Sequence, residues 1–162
     1  MDVELTTDFK NLIKKKSKGE YQEGQMTYLD IDSTQIVRNI KIKARGNMRR
    51  KICSIPPLKL KIKKKLLKEE GLLPFNDLKL VAPCKSSKAY TNFIFREYLA
   101  YQLYSLLTDL SFKTQLVRLN YKDTAGKIKD KTRYGFLIED KEELAARHEC
   151  KAIEVKLSLI HI

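Results

Sequence analysis

Arg45, Gly46 and Asn47, with Arg49 and Arg50 just beyond, put two kinds of anion-binding group into one short stretch. A glycine lets the backbone turn so that N–H groups converge, and guanidinium groups fork onto phosphate oxygens. Lys59 and Lys61 follow at a spacing of two, so on a strand both project from one face. The chemistry open to such a set is the holding of phosphate. An ordinary loop with solvated arginines has the same composition, and these residues alone leave both readings open.

The charge is local. Between Arg38 and Lys65 there are twelve Lys or Arg residues and no acid, in a chain whose net charge is +13. That concentration favours a polyanionic partner over general solubility, although lysine-rich faces are also ordinary on exposed sheets. Single-stranded nucleic acid is bound with aromatic platforms set between the charges. The same stretch contains no Phe, Tyr or Trp. Nucleic acid therefore stays a candidate partner but a disfavoured one, because phosphate contact needs no ring and base stacking does.

Glu97 sits at the edge of an apolar helical stripe, about 60° from Ile94 on a 3.6-residue wheel. A carboxylate there needs a cation, since an unpaired buried charge is costly. The Lys59/Lys61 strand is one source of it, and a strand lysine paired with a helix glutamate is how kinases hold ATP phosphates. Pairing with any surface lysine is the competing reading.

These residues need elements to position them. Val3–Phe9 alternates and reads as a strand; Asp8 can cap a short helix that carries Leu12 and Ile13 and ends at Gly19. Gln25–Ile31 and Gln35–Arg45 read as a hairpin around Asp32, Ser33 and Thr34. In the second arm Ile40, Ile42 and Ala44 face one way, Lys41, Lys43 and Arg45 the other. Residues 45–57 read as a loop, in which Pro56 and Pro57 bar a central ladder position. Leu58, Leu60 and Ile62 then alternate with Lys59, Lys61 and Lys63. A turn-rich connection leads to an apolar strand, Leu78–Cys84. The clearest helix runs from about Ala89 to Thr108, with one stripe of Tyr90, Ile94, Tyr98 and Tyr101 and another of Leu99, Leu103 and Leu106. Apolar on two sides, it is expected to be buried. Two strands, Thr114–Asp123 and Thr132–Asp140, and a helix over 139–148 complete the order.

Strands, helix, strands and helix with short connections predict an α+β fold: an antiparallel sheet with one long buried helix, in a single domain. No apolar run approaches the roughly 18–20 residues that cross a bilayer, and the acidic, alternating start is no signal peptide. Cys53, Cys84 and Cys150 have no CxxC spacing and no histidine cluster, so a zinc site is not expected. No nucleotide-loop, zinc-protease or serine-hydrolase signature is complete.

Four stretches in order, IKIKARGNMRRKICSIPPLKLKI, LKLVAPC, FREYLAYQLYSLLTDLSFKTQLVRLNYKD and RYGFLIED, resemble the CotH family of spore-coat-type atypical kinases, in its exported branch. The likeness covers about residues 3–150. It implies the N-terminal lobe and hinge of an atypical kinase that binds ATP with Mg²⁺ and phosphorylates protein. Arg45, Gly46 and Asn47 would lie over the phosphates, Lys59 or Lys61 would contact them, and Glu139 would sit near the hinge and the adenosine. Glu97 stands where many members have Asn, and Pro56–Pro57 where they have two lysines. No catalytic residue is assigned: the family's metal-binding and catalytic carboxylates belong to a C-terminal half, and nothing after Glu139 offers that pair. The reading is therefore a nucleotide-phosphate-binding lobe, inactive alone, cut at about residue 156 and followed by a non-native tail over 157–162. The alternative is a noncatalytic polyanion-binding or structural module. An exported parent would also permit a Cys53–Cys84 disulfide, against two free thiols.

Overall fold

A computed structural model describes residues 1–71 and 76–153. The strands are β1 (Asp2–Thr7), β2 (Gln22–Leu29), β3 (Gln35–Ala44), β4 (Leu58–Ile62), β5 (Asp77–Val81), β6 (Thr114–Asp123) and β7 (Lys131–Ile138). The helices are α1 (Phe9–Lys14), α2 (Met48–Ile52), α3 (Lys64–Glu69), α4 (Lys88–Leu107) and α5 (Lys141–Arg147).

The sheet is closed, in the order β1-β2-β3-β4-β5-β7-β6. Six of its seven joins are antiparallel; the seventh, β1 on β6, is parallel from Asp2↔Arg118 to Thr7↔Asp123. This overturns the expected open sheet of a kinase N-terminal lobe with a hinge. The physical reason lies in β1. With no proline in Asp2–Thr7 its backbone can hydrogen-bond along both edges, and placing it between β2 and β6 leaves no raw edge. Nothing local in the sequence marks a parallel pairing between strands more than a hundred residues apart.

Alternation fills the interior. Val3, Leu5, Ile42, Leu58, Leu60, Leu80, Val117 and Leu119 are all at most 1% exposed. A barrel of this size is packed solid by its own side chains. Phe9 and Leu12 of α1 belong to the same core, and Phe9 meets the buried Tyr121 ring edge-on at 5.2 Å. Asp8 caps α1, its carboxylate accepting from the Asn11 N–H at 2.8 Å.

α4 is not the buried helix expected. A solid barrel has no room for it, so it lies outside, against β7 and β6. Ile94 is its one buried residue, packed with Val81, Phe136 and Ile138; Tyr98 and Tyr101 stack on Phe136 at 6.0 and 5.8 Å. The second stripe faces away, with Leu99 55%, Leu103 56% and Leu106 81% exposed, and Leu107 beside it 82%. Gly135 permits the wall beneath: a Cβ there would stand 2.6 Å from the Val81 carbonyl oxygen.

The loop expected over residues 45–57 carries the one-turn α2, and the connection after β4 carries α3. The expected tail over 157–162 lies outside the described residues.

Candidate functional site

The β3 alternation that buries Ile40, Ile42 and Ala44 sends Lys41, Lys43 and Arg45 to the outer face. There Arg45 meets Gly46, Arg49, Lys79, Glu97 and Tyr101 around a pocket of about 320 Å³, floored by Val81, Phe112 and Ile138. Gly46 has φ +86° and open space where a Cβ would stand, so the chain turns sharply without crowding the mouth. The Arg45 N–H donates to the Pro57 carbonyl at 2.8 Å, which pins the turn to the start of β4.

Three cations converge, and they differ in how they are held. The Arg49 Nη2 donates to the Ala82 carbonyl at 2.9 Å, and its Nη1 lies 3.7 Å from Glu97 Oε2. Lys79 Nζ lies 3.3 Å from Asp140 Oδ2. The partly buried Arg45 guanidinium makes no hydrogen bond and no ion pair among the described residues. Burial, helped by the Arg49 charge, holds it below the ordinary arginine value, with Asp140 and Glu97 acting in the other direction.

A disulfide secures the loop. Cys53 and Cys84 are joined, as an exported parent would permit, tying the end of α2 to the segment after β5. The Ser54 N–H and hydroxyl both reach the Cys84 carbonyl, at 3.2 and 3.0 Å. The loop bearing Arg45 to Arg49 is thereby fastened to Cys84, just past β5, by three bonds.

The expected residues divide. Arg45, Gly46 and Glu97 come together. Asn47 stands at the α2 N-cap position without a side-chain cap bond. Lys59 is one strand away, with Nζ 2.9 Å from Asp77 Oδ2 and 3.5 Å from Asp140 Oδ2. Lys61 faces a different groove, beside Tyr21. Glu97 pairs with Arg49 rather than with the Lys59/Lys61 strand. The reason is register: Lys59 stands opposite Lys79, and the carboxylates within its reach are Asp77 and Asp140.

Glu139 is 4% exposed. Its Oε1 accepts from Arg147 Nη2 at 2.6 Å and from the Lys113 N–H at 2.8 Å. Its Oε2 is buried with no hydrogen-bond partner among the described residues. It lines a second pocket of about 510 Å³, which shares Phe112 and Ile138 with the first. Glu143 borders the same pocket; burial and the Glu139 charge push its carboxyl above the usual range.

Sequence reasoning missed Lys79, Asp140 and Tyr101. Lys79 was within reach, since Leu78 and Leu80 flank it in an alternating strand. Asp140 acts through α5, whose first turn it caps at Glu142 N, 3.4 Å away.

The pocket gathers two arginines and a lysine against one carboxylate, that of Glu97. Mg²⁺ does not fit these residues: Asp140 is taken up by two lysines and Glu97 by Arg49, and the described residues include no group of three His, Cys, Asp or Glu able to hold a metal. Among the described residues no helix is long and apolar enough to cross a membrane. Comparison of the chain with family models, with curated proteins and with solved structures finds no match in any of the three.

Proposed function

We propose that this chain binds the phosphates of a nucleotide in the Arg45 pocket, as the resemblance to CotH-type kinases implies. The observation that carries the reading is the partly buried Arg45 guanidinium without a partner. A cation that has given up part of its water and gained no partner is held at some cost, and an anion entering between Arg45, Arg49 and Lys79 would offset it. Arg49 and Lys79 are already positioned by Ala82, Glu97 and Asp140, so little ordering remains to be done on binding. The reading is of binding rather than phosphoryl transfer, because the carboxylates bordering the pocket are engaged by cations.

The experiment is calorimetric titration with AMP, ADP and ATP. Affinity should rise with phosphate number, and Arg45→Ala should lower it by about tenfold or more, the usual size of a lost charge-assisted hydrogen bond. No binding, or equal binding by Arg45→Ala, removes the reading.

A second reading, polyanion binding along the outer sheet face, is favoured by a separate observation. Lys41 stands opposite Lys61, Lys43 opposite Lys59, and Lys59 opposite Lys79. Like charges directly across a sheet are destabilising, and a multivalent anion would relieve them.

A further inference from the structure

Tyr21 lies well before the basic stretch in sequence, yet the pairing of Gln22 with Ile42 carries it onto the lysine face. Its ring has Lys43 Nζ 4.5 Å from the centroid and Lys61 Nζ at 5.9 Å. Beside it opens a groove of about 600 Å³ lined by Tyr21, Lys41, Lys61, Lys63, Lys64 and Lys65 among others. Two acids reach these lysines. Glu23 lies 3.7 Å from Lys41 and Glu69 3.7 Å from Lys65, both exposed pairs of the kind that contribute little. Lys43, Lys61, Lys63 and Lys64 have no carboxylate within ion-pair distance among the described residues. The groove thus sets an aromatic ring among six lysines, with Glu23 in its lining and Asp77 opposite Lys61 as the carboxylates nearby.

We infer that this groove binds an acidic polysaccharide, with its lysines on sulfate or carboxylate groups and Tyr21 against a sugar face. The inference rests on the second reading above and names its partner. Three observations favour a glycan over single-stranded nucleic acid. The groove offers one ring, where nucleic-acid channels use successive rings to stack successive bases. Its cations are all lysine, point charges that suit any anion, and none is the forked arginine used for bidentate phosphate and base recognition. The Cys53–Cys84 disulfide belongs to oxidising compartments, where acidic glycans are the polyanions at hand.

The test uses the whole chain and three fluorescent probes of equal charge number: a heparin oligosaccharide, an alginate oligosaccharide and oligo-dT, each titrated at several salt concentrations. At least one glycan should bind more tightly than oligo-dT. Lys61→Glu with Lys64→Glu should weaken glycan binding about tenfold or more and flatten its salt dependence, because fewer counterions are released. Tyr21→Ala should weaken it several-fold with the salt slope unchanged, since the ring carries no charge. Lys127→Glu with Lys129→Glu, on the β6–β7 turn, should change binding far less. Thermal melts check each fold; should Tyr21→Ala melt early, the Lys61/Lys64 pair decides. If none of the probes binds, the polyanion reading falls and the inference with it. If probes bind but oligo-dT matches or exceeds both glycans, or the groove pair behaves as the parent chain, the inference alone is overturned.

Discussion

Lys59 and Lys79, directly opposite on β4 and β5, share one carboxylate oxygen of Asp140, at 3.5 and 3.3 Å. The relationship lets two like charges sit side by side on the wall of the candidate site. Asp77 takes a further share of Lys59, at 2.9 Å. Burial alone would raise the Asp140 carboxyl, but Lys79, the Glu142 N–H and Lys59 outweigh it and hold it below its ordinary 3.8. A carboxyl depressed in this way stabilises the fold while ionised, above its unfolded value, and that contribution goes as pH falls through the folded value. Stability should therefore decline below about pH 4, and Asp140→Asn should shallow that decline while costing stability at pH 7. Urea midpoints from pH 2.5 to 7 measure both; parallel curves would remove Asp140 from the account.

The disulfide should matter more than its surface setting suggests. It closes a loop with a sequence separation of 31, which the chain-entropy view converts to about 3–4 kcal/mol. Cys53→Ser with Cys84→Ser should lower urea stability by that order. Alkylation after unfolding without reductant should label one thiol per chain, that of the exposed Cys150. Three labelled thiols would exclude the bridge.

Much of the layout was legible because alternation is local. Leu58, Leu60 and Ile62 against Lys59 and Lys61 fix which side of β4 is core, and Asp8 marks the start of α1. Closure was not legible, because β1 and β6 carry no mark of each other. The site was legible in part for the same reason. Arg45 and Gly46 are adjacent in the chain, whereas Lys79 and Asp140 reach the pocket through β4–β5 register and β7–α5 geometry. The twin stripes on α4 were read correctly as apolar, but whether a stripe is covered depends on what stands beside it, which a helical wheel does not contain.

Tyr121 should tolerate loss of its hydroxyl. The group is buried without a hydrogen-bond partner among the described residues, and burial drives its ionisation far up. Its ring still packs on Phe9. Tyr121→Phe removes the orphaned polar atom and keeps the contact, so stability should stay level or rise by about 1 kcal/mol. A loss above that size in a chemical melt would mean the hydroxyl has a partner.

The two faces of α4 should respond differently. Ile94→Ala empties a packed site and should cost about 2–5 kcal/mol. Leu106→Ser or Leu107→Ser, on the open face, should stay within about 0.5 kcal/mol. Equal costs on the two faces would contradict the packing of α4 against β7 through Ile94, Tyr98 and Tyr101.

The parallel join of β1 to β6 bears on how the chain is made. β1 can fold back on β2 as soon as both exist, but its other edge has no partner until Arg118–Asp123 has been synthesised. A nascent chain therefore holds a growing ribbon with one side unzipped through most of translation. Completion is a late, long-range event of the kind that makes folding slow and favours chaperone attention.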